Sequence, residues 1–234
     1  EAMGAEPSAV VIGLAFPRNL DRRWVSDFQE GVVEECARAG ISLVGGDLSS
    51  SAHIALGVTA LGNLSGRPAI TRAGARVGDQ VAVCGRLGCS AGGLLVLQRG
   101  FGSPKDLVLE QQCPTVPYGQ GKVAAEAGAT AMIDVSDGLL QDLGHICELS
   151  GVGIDVRTGA LKIHDSLARL AAATGKDPLG FVLAGGEDHA LAATFPAEVE
   201  LPQGWLRIGT VISGAEVIVD GMPWTGSVGW DHFA

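Results

Sequence analysis

Basic charge is scarce in this 234-residue sequence. Sixteen lysines and arginines stand against 26 aspartates and glutamates, a formal net charge of −10. Such a chain lacks the basic footprint that a phosphodiester backbone demands, which excludes nucleic acid as its main partner. Nucleotides stay open, because carboxylates can hold a triphosphate through a divalent cation. Cysteine is also sparse: Cys36, Cys84, Cys89, Cys113 and Cys147. Their odd count and the lack of any Cys-x-x-Cys pair argue against zinc and against a disulfide framework. Buried free thiols in a reducing cytoplasm are the expectation. No apolar run reaches membrane-spanning length and no signal-peptide pattern is visible.

Several motifs are missing too. There is no Gly-x-x-x-x-Gly-Lys-[Ser/Thr], no Gly-x-Gly-x-x-Gly after a strand, no His-Glu-x-x-His and no Gly-x-Ser-x-Gly. The five histidines are scattered. Nucleotide chemistry here must therefore use a scaffold other than the P-loop or the dinucleotide fold.

What remains is globular: 47% hydrophobic against 18% charged residues, enough for one large domain or two small ones. The 35 glycines have no fixed period, and imply tight turns and places where backbone approaches a ligand. Ala9–Phe16 reads as a strand ended by Pro17. Asp21 can cap a helix running to about Ala39, with Trp24, Phe28, Val32 and Cys36 on one face and Gly40 as its stop. Ile41–Val44 reads as a short strand that turns at Gly45-Gly46-Asp47, and His53–Leu61 as another. A boundary falls in the loop with Gly62, Gly66 and Pro68, giving domains 1–66 and 67–234. In the second, strands are expected at Gln80–Cys84, Ala131–Val135, Val152–Val156, Ala190–Phe195, Leu206–Val211 and Val217–Val219. Helices are expected at Ser90–Gln98, Tyr118–Ala127, Asp137–Ser150 and Ile163–Thr174. The mixture predicts α/β or α+β layers.

Three acidic clusters could carry chemistry. In Gly45-Gly46-Asp47, glycines let the backbone approach a phosphate and the carboxylate suits magnesium, though the same tripeptide is an ordinary turn. In Asp134-Val135-Ser136-Asp137-Gly138, a strand ends at one carboxylate and a helix begins near the other. The two can converge on one cation, Ser136 can offer a hydroxyl to phosphate or metal, and the helix N-terminus favours anions. The alternative is an Asp137 helix cap beside a surface Asp134. Gly185-Gly186-Glu187-Asp188 repeats the glycine-then-carboxylate pattern and is otherwise a charged turn. Arg72 could pair with a phosphate. Trp230 in the tail could stack on a flat cationic ring or simply pack.

These pieces stand in a particular order. It runs Glu1-Ala2-Met3-Gly4-Ala5, Gly45-Gly46-Asp47, Val58-Thr59-Ala60-Leu61-Gly62, Arg72-Ala73-Gly74-Ala75 and Val77-Gly78-Asp79. It continues with Ile133-Asp134-Val135-Ser136-Asp137-Gly138-Leu139 and Asp142-Leu143-Gly144-His145, then Gly185-Gly186-Glu187-Asp188, and closes on Gly229-Trp230-Asp231-His232-Phe233. Over nearly the whole chain this resembles the thiamine-monophosphate kinase family, within the aminoimidazole ribonucleotide synthetase-like superfamily. The resemblance implies a two-domain α/β subunit that dimerises through sheets of its N-terminal domain. It also implies transfer of the ATP γ-phosphoryl group to thiamine monophosphate with Mg²⁺. By position, Asp47, Asp134 and Asp137 would be metal ligands and Gly46, Asp47, Arg72 and Ser136 would contact ATP. Glu187 and Trp230 would meet the thiamine part, and Asp188 has no role to inherit. The family begins with a longer stretch bearing a Gly-Asp-Asp segment and a further aspartate. The opening Glu1-Ala2-Met3-Gly4 therefore reads as cut from a longer chain, with 1–66 only the rear of an N-terminal domain. The alternatives are another ATP-dependent enzyme of the superfamily and a non-catalytic nucleotide-binding fragment.

Overall fold

A computed structural model describes residues 1–230; the tail residues Asp231, His232 and Phe233 lie outside the described residues. The chain forms two compact units. One holds Glu1 with Ala5–Pro68, and the other Ala2–Gly4 with the chain from Ala69 onward.

In the first unit, β1 (Glu6–Phe16), α1 (Arg22–Ala39) and β2 (Ser42–Ser50) make a β-α-β crossover, and β3 (Ala55–Asn63) adds antiparallel to β1. The strand order is β2-β1-β3. Helix α1 starts where expected: the Asp21 carboxylate accepts from the Arg23 N–H at 2.9 Å, satisfying one of the orphan amides of a helix start. It ends at Gly40 in the left-handed conformation, φ +68°. Trp24 and Phe28, one turn apart, stack with centroids 5.5 Å apart. The core of this unit is thin. Val10, Leu14 and Cys36 are its buried apolar residues, and every residue of β2 and β3 is exposed.

The turn expected at Gly45-Gly46-Asp47 does not form. Strand β2 runs straight through it, with Gly45, Gly46 and Asp47 paired in parallel with Val11, Ile12 and Gly13. A register shift between Val10 and Val11 takes up the irregularity instead. Gly46 answers a packing demand, since a Cβ there would sit 2.0 Å from the Ile12 carbonyl oxygen.

The second unit is a seven-stranded sheet with helices on its faces. Its strands are β4 (Gln80–Cys84), β5 (Ala131–Val135), β6 (Gly153–Val156), β7 (Ala190–Phe195), β8 (Leu206–Ile212), β9 (Val217–Val219) and β10 (Met222–Pro223), in the order β10-β9-β6-β8-β4-β7-β5. All neighbours are antiparallel except β6 and β9. The helices are α2 (Cys89–Gln98), α3 (Lys105–Gln112), α4 (Gln120–Glu126), α5 (Leu139–Ser150), α6 (Asp165–Thr174) and α7 (Pro178–Ala184).

Because side chains alternate along a strand, the sheet feeds two separate cores. Val81, Val83, Ile133 and Val135 join the apolar stripe of α5, namely Leu139, Leu143, Ile146 and Cys147. On the other face Ala82, Met132, Leu191 and Phe195 pack with Ala124 and Trp205. Two helices were not foreseen. Helix α3 is short with little amphipathic pattern, while α7 carries a local start signal, Asp177 capping the Leu179 N–H with Pro178 between them. Four cysteines are buried as expected, but Cys113 is exposed beyond the end of α3. Burial pushes the Cys89 thiol up to about 12 and the Cys147 thiol to about 11, so neither is poised as a nucleophile.

The antiparallel register decides where loops gather. Cys84 pairs with Leu191, Val135 with Ala190, and Val83 with Leu206. The segments after β4 and β5 and those before β7 and β8 therefore share one edge of the sheet.

Candidate active site

Strand β5 delivers Asp134, half-buried, to that edge. The chain then turns through Ser136, Asp137 and Gly138 before α5 begins at Leu139, two residues later than Asp137, where the helix was expected to start. One oxygen of Asp142 causes this. Its Oδ2 accepts from the N–H groups of Ser136 at 3.0 Å and of Asp137 and Gly138 at 3.1 Å each. Asp142 is 2% exposed, and burial, opposed by those three amide bonds, pushes its carboxyl above the ordinary range. Two readings change. Asp137 is not the cap of α5. And the amides at this helix start, which could have cradled an anion, are already occupied by the chain's own carboxylate.

Two distant segments pack directly on this turn. The Glu187 N–H donates to the Ser136 carbonyl at 2.7 Å and the His189 N–H to the Val135 carbonyl at 2.9 Å. A Cβ on Gly186 would come within 2.7 Å of the Ser136 oxygen, so this approach requires glycine. From the tail, the Trp230 N–H donates to the Asp137 carbonyl at 2.9 Å, while Gln141 Nε2 donates to the Trp230 carbonyl at 2.7 Å. Trp230 is exposed. Backbone bonds thus bring Ser136, Asp137, Glu187 and Trp230 together in the second unit, with Asp134 two residues before Ser136 on β5.

Glu187 and His189 both have left-handed backbone, φ +65° and +51°. Their side chains approach to 3.5 Å between Glu187 Oε2 and His189 Nε2. Asp188 between them turns inward. It is 5% exposed and takes the N–H groups of Gly88 and Ser90 at the start of α2. Desolvation pushes its carboxyl up to about 7, against the lowering effect of those amides.

Arg72 lies beside β5. The Met132 N–H donates to the Thr71 carbonyl at 3.1 Å, and Ser150 Oγ donates to the Arg72 carbonyl at 2.9 Å while accepting from the Gly74 and Ala75 amides. Arg72 and Asp134 line one cavity of about 390 Å³, together with Met132, Ile133 and Leu149. Gly46 and Asp47 belong to the first unit, where Asp47 Oδ2 accepts from Ser49 Oγ at 2.6 Å.

Among the described residues no three His, Cys, Asp or Glu side chains gather as a metal cage. The donors present are still of the right chemistry for magnesium. That ion takes oxygen ligands and is usually held by one or two carboxylates, with substrate phosphates and water completing its shell.

Asp142, Gln141 and Asp188 carry roles here that their sequence motifs do not reveal. Asp142 is an acidic residue in the first turn of α5 as it forms, from Leu139, where it complements the amide-rich end; a helix start at Asp137 puts it in the second turn.

Known proteins share this architecture. The model of the AIR synthase related protein N-terminal domain matches residues 1–64, and that of the AIR synthase related protein C-terminal domain matches residues 76–220. A thiamine-monophosphate kinase of Mycobacterium tuberculosis H37Rv is 47% identical over 235 residues, covering 100% of this chain and 70% of that protein. The crystal structure of thiamine monophosphate kinase from Aquifex aeolicus superposes with a TM-score of 0.88 at 33% identity, over 95% of this chain and 76% of that one. A structure described as AaThiL complexed with AMPPCP and TMP gives 0.88 at 32% identity, over 99% and 75%.

Proposed function

The chain belongs to the thiamine-monophosphate kinase family of AIR synthase related proteins, and we propose that it transfers the γ-phosphoryl group of ATP to thiamine monophosphate, giving thiamine diphosphate and ADP. The observation that carries this is the convergence of three family segments in one unit: the Asp134–Gly138 turn, Gly185–Asp188 and the Trp230 tail. A relative solved with AMPPCP and TMP, an ATP analogue and the acceptor by the reading taken here, has the same fold.

The chemistry asks little of a base. The acceptor is a phosphate monoester, already largely dianionic near neutral pH, so no proton need be removed to make it a nucleophile. One of its oxygens forms the new P–O bond as the bond from the γ-phosphorus to the bridging oxygen of ADP breaks in line. The obstacle is repulsion between two anionic reactants, and catalysis is mainly positioning and charge neutralisation. Bound Mg²⁺ would supply that neutralisation and polarise the transferred group. In this reading Asp134 and Asp137 are the metal-ligating residues of the second unit and Asp47 is that of the first. Gly46, Asp47, Arg72 and Ser136 face ATP, and Glu187 and Trp230 meet the thiamine moiety. The shared cavity of Arg72 and Asp134 supports a role for Arg72 in orienting a phosphate group.

The first unit serves, in the same reading, as the rear part of an ATP- and metal-binding domain that also dimerises. Its support is the exposed apolar side chains of β2 and β3, among them Leu43, Val44, Leu48, Leu56 and Val58, which a second copy would cover. Among the described residues no helix is long and apolar enough to cross a membrane, and the small-molecule substrates fit a cytoplasmic enzyme.

The test is incubation of the protein with ATP, Mg²⁺ and thiamine monophosphate, with chromatographic detection of thiamine diphosphate and ADP in equal amounts. ATP hydrolysis without thiamine diphosphate, or transfer to another acceptor in preference, refutes the reading.

A further inference from the structure

Glu187 and Asp188 are neighbouring carboxylates with opposite surroundings. The Glu187 side chain is 67% exposed, while Asp188 is buried against α2. The backbone that separates them is left-handed on both sides of Asp188, at two residues that are not glycine. Such conformations are unfavourable for side-chain-bearing residues and persist only where the surroundings over-determine them. Three tethers do so here. Two are the backbone bonds from Glu187 to Ser136 and from His189 to Val135, which hold the segment to the end of β5. The third is the Asp188 carboxylate, which reaches away from β5 to the amides of Gly88 and Ser90.

Helix capping alone leaves this arrangement unexplained. A helix start is ordinarily capped by a local Ser, Thr, Asp or Asn. Helix α2 has Gly88 at that position and no cap of its own. It draws its acceptor from the residue next to Glu187, 98 to 100 positions along the chain.

We infer that Asp188 is a positioning residue for the transfer reaction: anchored on the start of α2, it holds the Glu187 backbone in its left-handed conformation and so aims the Glu187 carboxylate at the acceptor. The inference rests on the assignment of Glu187 to the thiamine moiety made above. Asp188 itself touches no reactant; it acts through its neighbour.

A double-mutant cycle tests this. Asp188→Asn keeps the shape of the side chain but sets an NH₂ donor against one of the two amides. Steady-state kinetics are measured for the unmodified protein, Glu187→Gln, Asp188→Asn and the double variant, with both substrates varied. Each single change is expected to raise the KM for thiamine monophosphate about tenfold while that for ATP stays within about twofold. The double variant is expected to be no worse than Glu187→Gln by more than about twofold, because an arm without its carboxylate gains nothing from being aimed. Unfolding temperature should drop in both Asp188 variants and leave Glu187→Gln unchanged, separating the lost cap from the lost aim. Multiplying effects on the acceptor KM, equal effects on both substrates, or a silent Glu187→Gln overturn the proposal. If Asp188→Asn does not fold, Asp188→Glu keeps the charge, displaces the segment by a methylene and is read in the same cycle. An unmodified protein that forms no thiamine diphosphate overturns the functional reading and this proposal with it; an active one with a multiplicative cycle overturns the proposal alone.

Discussion

Replacing Asp142 by alanine removes the shared acceptor of three consecutive amides, and the structure indicates how much that should cost. Ser136 and Asp137 are half-buried and Gly138 is buried. The first two amides can recruit water, so the Gly138 N–H is the one left without a partner, at about 1–3 kcal/mol. Against this, the carboxylate is itself desolvated, as the direction of its pKa records, and alanine is relieved of that cost. The net expectation is a loss of about 1–2 kcal/mol, or about 2–8 °C in unfolding temperature for a chain of this size. Asp142→Asn keeps an oxygen in place and loses only its charge, so about 1 kcal/mol is expected. Turnover should fall in the same order, alanine well below asparagine, because the loosened turn carries Ser136 and Asp137. Differential scanning fluorimetry and a thiamine diphosphate assay on the same preparations measure both. An alanine variant that melts within about 1 °C of the parent and keeps its turnover would refute the reasoning, since the turn would then stand without its carboxylate.

Further outcomes follow from the same geometry. Asp137→Asn should cut turnover strongly and leave unfolding temperature nearly unchanged, because Asp142 does the capping; a large thermal shift with normal turnover would reverse the roles. Trp230→Ala should raise the acceptor KM and spare that of ATP, and equal effects on both would mark Trp230 as packing only. Asp188, raised to about 7 by burial from an ordinary value of about 3.9, binds its proton more tightly when folded. Its contribution to stability is therefore full below about pH 4 and is lost as pH rises through about 7. Urea unfolding at about pH 5 and about pH 8 should show the parent losing ground to Asp188→Asn at the higher pH, and a pH-independent gap contradicts it. Gly46→Ala should disrupt the β1–β2 pairing and loosen the first unit, seen as faster hydrogen exchange at Val11–Gly13; unchanged exchange there counts against the close approach.

Much of the second unit was readable from the chain. Ala131–Val135, Ala190–Phe195 and Val217–Val219 are apolar runs bounded by turn residues, and they are strands to the residue. Asp21 and Gly40 bracket α1 because caps are local chemistry. What sequence patterns missed depends on distant partners. Nothing near Gly45-Gly46-Asp47 says that β1 will run alongside and hold it extended; two glycines before a carboxylate look like a turn until the neighbouring strand is known. Asp188 was invisible for the same reason, since it accepts amides from a segment 98 to 100 positions away; Asp142 serves amides four to six residues before it, and was hidden because α5 starts at Leu139 and not at Asp137. The candidate site residues of the second unit could be named one by one from their motifs, but their adjacency follows from strand register, which depends on how β5, β4 and β7 pair.

That register has its own lock. Along β7, Leu191, Ala193 and Phe195 face one core while Ala190 and Ala192 face the other, and Thr194 is stitched by its hydroxyl to Thr130 at 2.6 Å and to the Ala131 amide at 3.0 Å. Sliding β7 by one residue would drive the Phe195 ring into the face built for alanines and sever the threonine pair. The sheet interior thus indexes Glu187 against Asp137 the way a keyed shaft sets the phase of a gear. Substitutions at the working residues can alter chemistry without disturbing that phase, whereas a bulky residue at Ala190 or Ala192 would shift several motifs at once while altering none of them.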